Sequence, residues 1–424
     1  MSPTVPTPAL SRRVARRSLT SAALVAALTA LAGCAAPNPN QVGTTYSSWD
    51  EVIHDAEGQT VNLWMYGGDE QGNAYVDNVL APAVAKAGVT LERVPVADTK
   101  DALNRVLTEL QAGRTSDGTV DLVWVNGDNF RTGKEAGAWL CAWTPILPNM
   151  ANTSATDPLL ANDFGTPVDG CEAPWHKAQF TFAYNSDVVD DPPTSIAGIL
   201  AWAEAHPGRF TYPAPPDFTG SAFIREVLYS ESGGYSNVPP VFSADAYDRL
   251  TPKLFETLSA IGPKLWRGGD TYPASSGQLN TLYADGQIDM TMTYGPATLT
   301  ELVTEGTYPA GTKVLPLAEG TMGNASFLAI PSNAADSAGA MVVANIALSV
   351  EQQVAKAEPA TWGQFTVLDL DSLSGPERAR FDALPQSPVV PAFDVLSRNA
   401  NPELAAAWVP ALDEGWRTHV LAGR

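Results

Sequence analysis

The sequence predicts an α/β protein of two lobes joined by extended crossovers. Three observations carry this expectation. Strand and helix signals alternate along most of the chain, two runs are extended with no room for a helix, and about 390 residues follow the leader, more than one core usually organises.

In the first third, residues 61–66 read as a short apolar strand. Residues 73–87 carry Val76, Val79, Leu80 and Val84 at helical spacing and stop at Gly88. Residues 89–96 are strand-like. Asp98 then caps a helix whose Leu103, Val106, Leu107 and Leu110 share one face up to Gly113, and residues 120–126 form the next strand. The order βαβαβ predicts a parallel sheet with helices on its faces. Residues 180–185 (Phe-Thr-Phe-Ala-Tyr-Asn) are extended. Beyond them come helices near 195–206, 220–230, 244–265 and 275–284, with strands at 209–212 and 288–294. Residues 324–331 form the second extended run, and 335–357 a long apolar helix. On this pattern residues 55–183 with about 296–345 form the first lobe, 184–295 the second, and 346–424 a C-terminal helical segment packing on the lobes.

The first 33 residues read as a targeting device. Arg12, Arg13, Arg16 and Arg17 precede an apolar run from Leu19 to Leu31 that is too short to span a bilayer comfortably. Leu31-Ala32-Gly33-Cys34 follows and reads as a lipobox, with Cys34 the lipidated first residue of the mature chain. Residues 34–54, opening Ala-Ala-Pro-Asn-Pro-Asn after the cysteine, read as a polar tether. Paired arginines ahead of the apolar run leave both general and twin-arginine export open. The protein is therefore expected outside the cytoplasm, held at the membrane only by lipid.

Removing the leader takes four arginines and no acid, leaving about 21 basic against 46 acidic side chains and a net charge of about −25. Such a surface repels nucleic acid and anionic lipid. The two remaining cysteines, Cys141 and Cys171, share an oxidising compartment. With Cys34 lipidated they are the one internal pair that can bond, unless both stay as buried thiols.

Several segments carry a family resemblance. They are the lipobox, Val61-Asn62-Leu63-Trp64-Met65-Tyr66 running into Gly67-Gly68, the stretch Asp121-Leu122-Val123-Trp124-Val125-Asn126-Gly127, the crossover Phe182-Ala183-Tyr184-Asn185, and residues 285–295 (Asp-Gly-Gln-Ile-Asp-Met-Thr-Met-Thr-Tyr-Gly). Together they resemble bacterial extracytoplasmic solute-binding proteins of ABC importers. Glu231-Ser232-Gly233-Gly234-Tyr235 and Leu265-Trp266-Arg267-Gly268-Gly269 are similar to the YnjB-type branch, related to binders of thiamine, polyamines and ferric iron. The resemblance implies a type 2 periplasmic-binding-protein fold with ligand held between two lobes. It also implies an ABC permease and its ATPase as partners.

Independently, ligands of open α/β sheets gather at strand C-terminal ends. Trp64, Tyr66, Gly68 and Asp69 stand at one such end, and Trp124, Asn126 and Asp128 at another. Asp217 and Thr219 open a second-lobe helix, Tyr272 and Ser276 another, and Tyr294 ends a strand. Aromatic faces with nearby carboxylates suit an organic cation such as thiamine or a polyamine. Sugars use stacked rings too and stay open as ligands. No cofactor, metal site or catalytic residue is expected. The four histidines are scattered without zinc spacing, no GxSxG elbow occurs, and Gly127 to Gly133-Lys134-Glu135 misses the phosphate-loop spacing. A surface hydrolase and a sensory or adhesive lipoprotein are the alternative readings.

Overall fold

A computed structural model describes residues 46–296, 298–396 and 400–422. The expected leader, the lipidation of Cys34 and residues 35–45 of the tether lie outside the described residues. Among the described residues no helix is long and apolar enough to cross a membrane. The stretch expected as tether up to residue 54 already contains structure. Ser48 accepts from the Glu51 N–H and starts the helix Trp49–Ala56, which buries Val52 and Ala56.

Strands β1 (Thr60–Tyr66), β2 (Thr90–Val96) and β3 (Leu122–Val125) pair in parallel with β1 in the middle. Asp69 starts the helical run after β1, and Asp98 caps the helix Thr99–Gln111 after β2. Short strands β4 (Asn162–Asp163) and β5 (Thr166–Pro167) make a hairpin. The remaining strands are β6 (Glu172–Gln179), β7 (Thr181–Asn185), β8 (Met290–Thr293), β9 (Thr312–Val314), β10 (Met322–Ala329) and β11 (Asn401–Pro402).

The first sheet has the order β11-β10-β3-β1-β2, with β6 also on β10, while β8-β7-β9 form a second, antiparallel sheet. The expected parallel βαβαβ unit is present in β1, β2 and β3, and the sheet built on it is mixed, because β10 runs antiparallel to both β3 and β6. A parallel neighbour needs a crossover connection over the sheet face, and β10 has none: it follows β9, which belongs to the other sheet.

The run 180–185 leads the chain from the first sheet into the second, whereas the run 324–331 falls in β10 within the first sheet, so the return passage lies before it, between β9 and β10. β6 and β7 are one run interrupted at Phe180, whose N–H donates to the Met322 carbonyl at 2.8 Å where β10 begins. The two cores divide accordingly. Leu63, Leu122, Trp175, Phe327 and Met341 pack in one, with Trp362 and Phe381 from further along the chain. Phe182, Phe223, Leu258 and Met290 pack in the other, with Trp408 and Trp416. Leu299, Tyr308, Val314, Leu315 and Leu317 also belong to the second core, since β9 pairs with β7. The C-terminal region thus splits between the cores and contributes β11 as well as helices.

Two element expectations change. Residues 209–212 form no ladder, because the Asp289 N–H donates to Arg209 O and the Trp266 N–H to Phe210 O, single bonds to two different segments. The long helix at 335–357 is two helices, Ser337–Ala347 and Val350–Ala357, broken where Ser349 accepts from the Gln352 N–H. Cys141 and Cys171 are disulfide-bonded across 30 residues and tie the irregular stretch 145–170 to the start of β6.

Candidate functional site

The lobes meet where the β4–β5 hairpin faces the helix Phe218–Glu231. On the first-lobe side the helix Gly127–Glu135 starts directly after β3. Gly127 takes φ +61°, a region that favours glycine, and its N–H donates to both Asp163 oxygens at 2.8 and 2.7 Å. Next to Asp163, the Phe164 ring reaches the second lobe. It lies 6.2 Å from the Phe218 ring and 5.9 Å from the Arg225 guanidinium carbon, and the Phe164 carbonyl accepts from the Ala406 N–H at 2.9 Å.

On the facing side Asp217 accepts from the N–H groups of Thr219 and Gly220, both at 3.0 Å, and starts the helix. Gly220 passes so close to the Pro213 carbonyl that a Cβ there would collide with it. The Phe218 ring is left 43% exposed and stacks at a tilt 4.8 Å from Tyr294. Two turns on, Arg225 is fully buried and donates to Glu403 at 3.1 and 3.4 Å. Glu403 also accepts from the Tyr294 hydroxyl and from the Asn324 amide at 3.4 Å.

Asp163 has no such cation. Burial pushes its carboxyl up to about 8, against the lowering effect of the Gly127 N–H and with the Glu403 charge adding to the rise. Glu172, on β6, is 1% exposed and neither carboxyl oxygen has a hydrogen-bond partner. Burial, and then the nearby Asp163 charge, push its carboxyl well above the usual range, while Lys134 works the other way. Among the described residues no group of three or more His, Cys, Asp or Glu is arranged to hold a metal.

The residues expected from the sequence scatter differently. Tyr294 lies at the junction of the lobes. Asp217, Thr219 and Ser276 come together, Ser276 donating to Asp217 through its N–H and Oγ at 2.9 Å and through Oγ to Thr219 at 3.1 Å. This cluster clamps two helix starts to each other. Trp64 and Trp124 are not brought together. The register aligns Trp64 with Val123, so the two indoles stand on opposite faces of the sheet. Trp64 packs against the core under the helix Thr99–Gln111, its indole N–H buried without an acceptor. Trp124 packs edge-on against Trp175, His176 and Trp362.

Tyr66 is 46% exposed, and its ring lies over Gly68, where a side chain would strike it. Asp69 accepts from the Gly72 N–H at 2.9 Å and the Trp362 indole at 2.8 Å, and burial raises its carboxyl. Asn126 precedes Gly127 without a side-chain cap bond. Asp128 pairs with Arg131 at 2.6 Å on its own helix, and Tyr272 is buried in the second core against Tyr212 and Trp416. Sequence reasoning missed Asp163, Phe164, Arg225 and Glu403. The one signal available was Arg225-Glu226, a charged pair inside the apolar run Ala222 to Leu228.

Residues 78–369 match the model of the bacterial extracellular solute-binding protein family. Over 375 residues the chain is 37% identical to protein YnjB of Escherichia coli (strain K12), covering 88% of this chain and 94% of that one. An ABC transporter substrate-binding protein from Bradyrhizobium japonicum USDA 110 superposes with TM-score 0.60 and 18% identity, over 85% of this chain and 99% of that one. A periplasmic thiamin-binding protein does so with TM-score 0.55 and 15% identity, over 85% and 96%. At these identities the solved structures establish the two-lobed fold.

Proposed function

Because the chain belongs to the bacterial extracellular solute-binding proteins, the solute-binding components of ABC transporters, we propose that it captures a small organic cation between its lobes and delivers it to a membrane permease. In this reading the mature chain is anchored by a lipid on Cys34, the chain from about residue 55 onward supplies the two lobes with its C-terminal part divided between them, and the β6–β7 and β9–β10 crossovers serve as the hinge. The observation that carries the ligand class is Asp163. It is a carboxyl buried at the lobe junction, beside the Phe164 and Phe218 rings, and no basic side chain pairs with it among the described residues. A cation entering there supplies the countercharge that lets the buried Asp163 carboxyl ionise, and meets aromatic faces for its body, each face contributing about 0.5–2 kcal/mol. The exposed Phe218 ring is suited to receive it.

Closure follows from contact with both lobes, since a solute with equal affinity for two states shifts neither. A thermal-shift panel of thiamine, spermidine, neutral sugars and sugar phosphates tests the ligand class. A bound solute raises stability by RT ln(1 + [L]/Kd). The expected outcome is a shift with a cation and none with a sugar phosphate. Stabilisation by an anion alone would overturn this reading.

A further inference from the structure

We propose that the β4–β5 hairpin is a latch: its Phe164 ring docks on the second lobe and holds the unliganded chain toward the closed arrangement, so that a solute meets lobes already drawn together. The inference rests on the two-lobed fold and is independent of which solute binds. The hairpin is rooted in the first lobe. Asp163 accepts from the Gly127 N–H at 2.8 and 2.7 Å, the Val168 N–H donates to the Ala161 carbonyl at 3.1 Å, and the Cys141–Cys171 disulfide pins the chain just beyond it. The tip of the hairpin belongs to the other lobe. The Ala406 N–H donates to the Phe164 carbonyl at 2.9 Å, and the buried Phe164 ring lies 6.2 Å from the Phe218 ring and 5.9 Å from the Arg225 guanidinium carbon. Gly165 passes so close to Ala405 that a Cβ there would come within 3.1 Å of the Ala405 Cα.

The backbone of the turn points the same way. Asp163-Phe164-Gly165-Thr166 reverses the chain with φ +43° at Phe164 and +73° at Gly165. Positive φ at both central residues is what a type I′ turn requires, and Asn-Gly meets that requirement where a bulky aromatic does not. Gly165 adopts it freely. Phe164 holds it under backbone strain, which persists only where the surrounding structure offsets it. The contacts that offset it lie on the second lobe. There Arg225 is held by Glu403 at 3.1 and 3.4 Å, so the surface that the ring meets is fixed before the lobes close. Opening about the crossovers pulls the ring from Phe218 and Arg225 and breaks the Ala406 bond, while the hairpin stays on the first lobe. Apparent affinity scales with the fraction of chains already in the competent state, so a latch that raises this fraction tightens capture of any solute that touches both lobes.

The test needs no solute and uses the full mature chain. Small-angle scattering and amide hydrogen exchange are measured on the wild type and on Phe164→Asn, which removes the ring and puts in the turn a residue that accepts positive φ, so the hairpin itself is kept. The expected result is a larger radius of gyration in the variant, with the Ala406 amide exchanging up to about tenfold faster and the amides of β1 and β3 unchanged. An unchanged radius and unchanged Ala406 exchange in folded Phe164→Asn overturn the latch. The wild type alone decides the matter if the variant does not fold. In the native protein the Ala406 amide should exchange through an opening smaller than global unfolding, at a rate that denaturant accelerates less than it does the amides of the two cores. Exchange of Ala406 as fast as in an unstructured peptide overturns the proposal, because nothing then holds the tip. Exchange only with global unfolding overturns it as well, because the contact is then a fixed joint that never opens.

Discussion

Buried carboxyls of two kinds occur in the molecule, and they are treated in opposite ways. Glu403 is surrounded by partners: the Arg225 guanidinium, the Tyr294 hydroxyl and the Asn324 amide all donate to it. Among the described residues Asp163 has one backbone N–H, and neither oxygen of Glu172 has a partner. A buried charge costs several kcal/mol to desolvate unless paired and bonded. The Glu403 group therefore reads as structure that fastens the second-lobe helix to the segment after β11. Asp163, lacking such partners, is instead pushed by burial toward its neutral form, which is where the proposed solute cation would supply the missing countercharge.

Arg225→Ala should break the comparison most violently. It leaves Glu403 buried and uncompensated, which costs about 3–5 kcal/mol, read from the denaturant midpoint. A loss under about 1 kcal/mol would mean that Glu403 is hydrated and the two carboxyl sets do not differ. The disulfide comes next. Reducing Cys141–Cys171, which spans 30 residues, should cost about 3–4 kcal/mol by loop entropy, and neither thiol should alkylate in the native protein before reductant is added. Ready labelling without reductant would remove this bond from the account.

Asp163→Asn sharpens the comparison from the other side. Its folded-state carboxyl is raised to about 8 by burial, against about 4 in an unfolded chain. Between those values the folded protein keeps a proton that the unfolded chain has released. Wild-type stability therefore falls as pH rises through the window, by about 1.4 kcal/mol per pH unit for one proton. The Asn variant should lose that slope. Glu226, also pushed up to about 8 by burial, keeps its own share in both proteins, so the difference between the two pH profiles isolates Asp163. Identical profiles would show that Asp163 ionises normally.

The same contrast explains what the sequence made legible. Strands of the first lobe and helices of both lobes follow from apolar spacing and from caps such as Asp98 and Ser195, because those signals are local. The direction of β10 is not local. It depends on where the preceding strand lies, and β9 sits in the other sheet. Within the candidate site, Tyr294 and the Asp217–Thr219–Ser276 cluster were visible as strand and helix ends. Trp64 and Trp124 were visible as strand residues, yet the period of two that made them noticeable also puts them on opposite faces. Asp163 and Phe164 sit in a four-residue hairpin turn, Asp163-Phe164-Gly165-Thr166, which by itself reads as a surface loop. Only its docking against Phe218 and Arg225 gives it a role, and that contact joins residues far apart in sequence.

Phe218 offers the most direct test that the junction of the lobes is where solute binds. Its ring is 43% exposed, so truncation removes little from the core, while a ring that covers the captured solute is a central contact. Affinity for the cation that stabilises the protein most should be measured by calorimetry in the wild type and in Phe218→Ala. The account predicts a loss of about 1–3 kcal/mol in binding with the melting temperature of the unliganded protein nearly unchanged. Equal affinity in a stable Phe218→Ala protein would contradict it and move the site away from the Asp163–Phe164 wall.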